Sequence, residues 1–283
     1  DKGMDYLYRE DFPEEQWESI LYNELASGRP VYYSGVHGDT GVGHAFVCHG
    51  YSASLNMFSI NWGWSGEGDG YFAISGTKTL LGFTGGLGML IGMRPAGYVS
   101  NTGEPIFGDK FKYEGIWYKV IDEQNREVEV THPDWETNPD NSYCSGDVII
   151  PSTVEYNGIT YTVSRIGTNA FWAKDPWDGK GGETVLAKSV TLPSTITSLA
   201  YCAFRSCDMD SIVLPNEIYS IPEECFHDGG KTIILPSNLK RIGRNAFTGC
   251  GFEEITIPEG CEIITEYAFS SCGRLSKVNL PST

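Results

Sequence analysis

No stretch of the 283-residue chain approaches the roughly 18 consecutive apolar residues of a membrane-crossing helix, so no membrane span is expected. Basic residues are scarce. Twenty Lys and Arg against 37 Asp and Glu leave a net charge of −17, a surface that repels phosphate backbones, so no nucleic-acid partner is expected. Histidine is limited to five positions without metal-ligand spacing, so neither a metal site nor a cofactor is expected. An initiator Met and a signal peptide are both missing. Asp1 stands first, and the chain is read as one whose start has been removed, which leaves export open. Only one of the eight cysteines, Cys48, falls in the first 96 residues. What is present suffices for a core: 40% of residues are hydrophobic, enough for one large or two ordinary domains, and 34 glycines with 13% aromatics fit a β-rich protein.

The most informative stretch is Gly43 to Ser65, GHAFVCHGYSASLNMFSINWGWS. His44-Ala45-Phe46-Val47-Cys48 is rich in apolar and β-favouring residues, and Met57 to Trp62 alternates. Polar Tyr51 to Asn56 between them closes an antiparallel hairpin. That hairpin is expected to set His44 beside Asn61. An imidazole next to an amide is half of a thiol-protease arrangement, with the histidine as base and the amide holding its tautomer and ring angle. The other half is a cysteine nucleophile. Cys48 lies four residues along the same strand, about 13 Å away, so it is read as a small buried apolar residue.

Asp11-Phe12, Gln16-Trp17-Glu18, Arg29-Pro30-Val31-Tyr32-Tyr33, Gly35-Val36, Gly43-His44-Ala45-Phe46-Val47, Asn61-Trp62-Gly63-Trp64 and Asp69-Gly70-Tyr71-Phe72 resemble, in order and spacing, the C-terminal half of streptopain-family cysteine peptidases. The resemblance runs from about Asp5 to Pro95. It implies the antiparallel-sheet half of a papain-like domain with one helix. His44 matches the family's catalytic histidine, Asn61 the residue orienting it, and Trp62 a tryptophan covering the pair. It also implies that the nucleophile sits on a helix of the N-terminal half, ahead of this chain, so the chain is expected to be inactive alone. Gly82 to Gly88 resembles a shortened form of the family's glycine-rich loop near the substrate cleft.

Around this stretch, Asp11-Phe12-Pro13-Glu14 reads as a helix start with Asp11 as N-cap. Trp17, Ile20, Leu21 and Leu25 follow at helical spacing, and Gly28 and Pro30 end the helix. Strands are expected at Pro30–Val36, His44–Tyr51, Met57–Trp62, Gly70–Ser75 and Met89–Met93. Acidic, glycine-rich Gly66 to Gly70 is read as a turn, because it lacks the alternating oxygen ligands of a calcium loop. Gly97 to Pro105 has linker composition. Phe111 to Val120 and Glu127 to Thr131 alternate as a hairpin unit, and His132 to Ser145 is irregular.

A period governs the remainder. Prolines at 193, 215, 236, 258 and 281 are spaced by 22, 21, 22 and 23, each preceded by an apolar pair such as Ile212/Leu214 or Ile255/Ile257. Phe171, Phe204, Phe226, Phe247 and Phe269 repeat in step, each with Ile or Leu five residues before it. A period near 22 with one short strand per repeat means a leucine-rich-repeat solenoid. The motif resembles BspA-like leucine-rich repeats of bacterial surface and secreted proteins. Trp172 to Lys188 interrupts the period and is read as an insertion. Cysteines in the apolar columns are expected to be reduced core fillers. Ile149, Thr191, Val213, Ile234, Thr256 and Asn279 are expected to face outward.

The whole chain is therefore expected to be mainly β. An α+β segment of a papain-like peptidase domain occupies residues 1–96, a linker and hairpin leader 97–147, and a leucine-rich-repeat β-solenoid 148–283. The expected activity is secreted or cell-surface thiol peptidase chemistry on a protein or peptide substrate. The chain's partners are then its own N-terminal peptidase half and a protein bound by the repeats. The alternative is a non-catalytic adhesion protein using the repeats alone.

Overall fold

Seven stretches near the N-terminus are short, alternate in polarity or recur at helical spacing, and each becomes one element: β1 (Asp5–Tyr8), α1 (Glu14–Ala26), β2 (Val31–His37), β3 (Gly43–Ser52), β4 (Met57–Asn61), β5 (Gly70–Phe72) and β6 (Phe83–Ile91). The computed structural model describes residues 4–74, 80–93, 108–133, 145–172, 187–207 and 209–282. It divides into two units, Asp1–Gly108 with Asp122–Asn125, and Asp109–Ile121 with Arg126–Thr283.

In the first unit the strands form one sheet in the order β1-β6-β2-β3-β4-β5, with every pairing antiparallel. Alternate residues of one face are buried: Val31 and Tyr33 on β2, Phe46 and Cys48 on β3, Phe58 and Ile60 on β4. Helix α1 buries Trp17, Leu21 and Glu24. The Trp17 indole N–H donates to the Tyr33 hydroxyl at 2.7 Å, tying helix to sheet. Buried Glu24 accepts from Arg29 at 2.7 and 3.0 Å and from the Gly92 backbone N–H at 2.7 Å, so its charge is paired and its oxygens are occupied.

Two expectations need correction, and one strand was not expected. The helix N-cap is Pro13 and no side chain caps it, whereas Asp11 lies in a single 3-10 turn, Arg9–Asp11. Proline's fixed φ suits the helix start and needs no donor there. Gly82 to Gly88 is largely strand: β6 begins at Phe83 and pairs with both β1 and β2. Two register shifts against β2 absorb the glycines, and Gly86 takes a left-handed φ of 53°. Strand β1 was not expected, since Asp-Tyr-Leu-Tyr alternates over too few residues to register as a strand.

The second unit opens with β7 (Lys110–Tyr113), β8 (Ile116–Asp122) and β9 (Glu127–Val130), followed by β10 (Gly146–Ile149), β11 (Thr153–Tyr156) and β12 (Ile159–Ile166). Strands β11-β12-β9-β8-β7 form one sheet. Asn157-Gly158, both at positive φ, supply the two-residue turn joining β11 to β12. The linker at Gly97–Pro105 lies outside the described residues, as do 134–144 and 173–186 within the irregular and inserted segments.

Beyond the leader the chain coils. Strands β10, β13 (Ala187–Thr191), β15 (Ser211–Val213) and β17 (Ile233–Ile234) form a parallel sheet, and β19 (Glu254–Thr256) pairs in parallel with β21 (Lys277–Asn279). The register places Val148, Val190, Ile212 and Ile233 side by side, each at most 8% exposed. A second parallel row joins β16 (Ser220–Ile221), β18 (Arg241–Ile242) and β20 (Ile263–Ile264), while β14 (Ser198–Leu199) pairs with β12. The five column phenylalanines stack with centroids 5.0 to 5.6 Å apart, one per coil. Two residues before each, Asn169, Cys202, Glu224, Asn245 and Tyr267 all adopt left-handed φ between 54° and 61°. That conformation costs a non-glycine residue about 1 kcal/mol and is held by hydrogen bonds from coil to coil, such as Phe226 N–H to Ala246 O at 2.8 Å. The seven described cysteines are free thiols. Ile149, Val213 and Ile234 face outward at 71%, 59% and 54% exposure.

Candidate active site

Strand β3 carries His44, and its register decides what the ring can meet. His44 lies opposite Gly35 of β2, and Val47 lies opposite Asn61 of β4. Directly opposed residues project to the same side of a sheet, and consecutive residues to opposite sides. Asn61 therefore shares the side of Val47, while His44 shares the side of Phe46 and Cys48. The expected contact between the imidazole and the Asn61 amide is not formed. What holds the ring is backbone: His44 Nε2 lies 2.9 Å from the carbonyl oxygen of Trp62, one residue past the end of β4.

That contact fixes chemistry. A carbonyl oxygen only accepts, so Nε2 carries the proton and Nδ1 keeps its lone pair. The Asn61 amide reaches the same peptide unit from its other end, where Asn61 Oδ1 accepts the Gly63 N–H at 2.8 Å. The Trp62–Gly63 peptide thus donates to Asn61 and accepts from His44. Hydrogen bonds at the two ends of one amide polarise each other favourably. Asn61 is connected to the ring through one peptide plane.

Trp62 is fully buried, and the half-buried His44 ring sits in an aromatic enclosure. The Trp64 ring stacks on it at 4.9 Å between centroids, with Phe83 at 5.9, Trp62 at 6.2 and Phe46 at 6.4 Å. Trp64 and Phe83 were missed at the sequence level. The signal was available for Trp64: it stands in the same Asn-Trp-Gly-Trp run as Trp62, where the left-handed Gly63 (φ 76°) lets the two indoles stack at 5.6 Å between centroids. Phe83 had none, since its placement depends on β6 pairing with β2 across nearly 50 residues of sequence. The rings flank the part-buried His44–Trp62 hydrogen bond and offer π-faces to the imidazolium form.

Cys48 is no partner for this base. It is fully buried on the core side of β3, and burial pushes its thiol up to about 12. A protonated thiol is a poor nucleophile. The acidic loop at Gly66–Gly70 forms a turn whose Asp69 accepts the Trp62 backbone N–H at 2.8 Å.

Residues 1–72 match the Peptidase C10 family, and residues 183–275 match the BspA type leucine-rich repeat region in six copies. Over 96 residues the chain is 40% identical to streptopain of Streptococcus pyogenes, covering 34% of this chain and 23% of streptopain. Over 74 residues it is 42% identical to the thiol protease/hemagglutinin PrtT of Porphyromonas gingivalis, covering 26% of this chain and 8% of that protein. The chain thus matches less than a quarter of the length of these curated relatives. Active interpain A of Prevotella intermedia is 38% identical over 31% of this chain and 37% of its own, with a TM-score of 0.28. A leucine-rich repeat protein from Bacteroides ovatus is 33% identical over 60% of this chain and 41% of its own, with a TM-score of 0.49. The chain accordingly joins a segment that matches the Peptidase C10 family and is similar to streptopain to a region that matches the BspA type leucine-rich repeats.

Proposed function

We propose that the first unit supplies the general base of a secreted or cell-surface thiol peptidase acting on protein or peptide substrates. The observation that carries this reading is the His44 ring held through Nε2 by the Trp62 carbonyl inside an aromatic enclosure. The arrangement leaves Nδ1 free to take a proton. In the proposed cycle Nδ1 removes the proton of a cysteine thiol, and the thiolate attacks the scissile carbonyl carbon. The protonated ring then returns the proton to the leaving amine, giving an acyl-enzyme. A water deprotonated at Nδ1 next attacks the thioester and releases the acid and the thiol. Trp62 both orients the ring, through its carbonyl, and shields it, through its indole.

The nucleophile comes from polypeptide other than the first unit, whose one cysteine is Cys48. The N-terminal half of the peptidase domain is thus a partner of this surface, and the chain alone is inactive. The test is cleavage of a denatured protein by this chain, with and without the half that carries the nucleophile. Reductant-dependent cleavage only in the combined sample is the expected result. Such cleavage by the chain alone overturns the reading.

A second role belongs to the repeats. The outward ladder of Ile149, Val213 and Ile234 supports a protein-binding face, which would serve adhesion or substrate docking whether or not the first unit is catalytic. Replacing Val213 by Lys is expected to abolish capture of such a partner and leave folding unchanged. Unchanged capture would remove this face from the reading.

A further inference from the structure

We propose that Asp69 is a positioning residue for the base, acting through the Trp62 backbone; the inference rests on the reading of His44 given above. Trp62 lies one residue beyond the last paired residue of β4, outside the ladder that β4 forms with β3. Its N–H and C=O are nevertheless both engaged. The N–H donates to Asp69 Oδ1 at 2.8 Å, and the C=O accepts from His44 Nε2 at 2.9 Å. A third bond, Gly63 N–H to Asn61 Oδ1 at 2.8 Å, completes the clamp. The two peptide groups flanking Trp62 are therefore each held by a side chain, one by Asp69 and the next by Asn61.

The loop between them is built to bring Asp69 back. Gly63, Ser65, Gly66 and Gly68 all take left-handed φ, from 56° to 90°, turning the chain so that residue 69 meets residue 62. A Cβ at Gly68 would stand 3.6 Å from the Trp62 ring, so the loop also lies against the indole. Without an acceptor at position 69, the backbone N–H of a fully buried residue is left unpaired. The carbonyl that orients His44 then loses its fixed direction. The acidic, glycine-rich loop thus serves as the outer brace of the catalytic base.

The measurement is the ring protonation of His44, from 15N shifts of the histidine-labelled chain at neutral pH, in wild type, D69A and D69N. Wild type is expected to show one species with the proton on Nε2. D69A should show a mixture of the two neutral forms, and D69N, whose amide oxygen can accept the same N–H, should restore the Nε2–H form. If D69A fails to fold, D69E keeps the charge but shifts the oxygen by one methylene, and it should give the mixture instead. In the enzyme combined with its nucleophile-bearing half, D69A is expected to lower kcat about tenfold with KM unchanged, and D69N to recover most of the loss. A wild-type His44 spectrum in D69A or D69E overturns the inference and leaves the base intact. Failure of D69N to restore the Nε2–H form overturns the acceptor role. A wild-type ring protonated on Nδ1 overturns the reading of the site itself and this inference with it.

Discussion

In the repeats, the column side chains recur from one coil to the next; in the peptidase-type unit, each residue of the site occurs once. Phe204 stacks between Phe171 and Phe226, and Phe226 between Phe204 and Phe247. A fault in one coil is shared with its neighbours. The ring of His44 depends on a single carbonyl, and that carbonyl on one turn closed by Asn61 and Asp69. Redundancy supports the solenoid, and the site has no such repetition. The two should therefore fail in different currencies: stability in one unit, rate in the other.

The sharpest separation is His44→Ala. In the combined enzyme it should cost about 10⁴- to 10⁶-fold in kcat, while the thermal transition of the repeats stays where it was. A shift of that transition would mean that the residue is structural. Phe226→Ala is the mirror experiment. The side chain is fully buried, and its removal should cost about 3–5 kcal/mol in the second unit by denaturant unfolding. The His44 spectrum should not move.

Alkaline pH should weaken the first unit through Cys48. Its folded thiol is pushed up to about 12 from 9.0 by burial, so the unfolded chain ionises first. The folded-state pKa is raised, so the stability this thiol contributes is complete below pH 9 and is lost as pH rises towards 12. At about 1.4 kcal/mol per pH unit, the loss approaches 4 kcal/mol at the upper end. Hydrogen exchange of β3 amides across that window reads it, and a flat profile would contradict the burial.

Asn61→Ala separates direct from relayed support. An amide holding the ring itself should cost close to 10⁴-fold, as loss of the orienting group does in serine proteases. Support through the Trp62–Gly63 peptide should cost about tenfold, on the scale of one hydrogen bond. The smallest effect is a gain. Tyr267 is 63% exposed and holds a φ of 61°, so Tyr267→Asn should stabilise the terminal coil by about 0.5–1 kcal/mol in urea unfolding.

The same contrast governs what could be read from residues alone. The columns were legible because each position recurs: Val148, Val190, Ile212 and Ile233 announce one row several times over, and the structure pairs them in register. His44 was legible through its setting in Gly43–Val47, but its partner was not. Asn61 and Trp62 are adjacent on an extended chain and face opposite sides, so both could not attend the ring with their side chains. The contact that replaces the amide is a main-chain carbonyl, which leaves no mark in the choice of residue 62. Phe83 and strand β1 were invisible because both are fixed by pairing with segments far away in sequence. Asp69 stood in a loop whose composition suggested only a turn.

Most depends on which ring nitrogen of His44 carries the proton at neutral pH. Two-bond 15N–1H couplings in the labelled wild-type chain report it directly. The expected spectrum has a protonated Nε2 slowed in exchange with water by its bond to the Trp62 carbonyl, and an unprotonated Nδ1 available to a thiol. A ring protonated on Nδ1, or one hopping freely between the two forms, would contradict it.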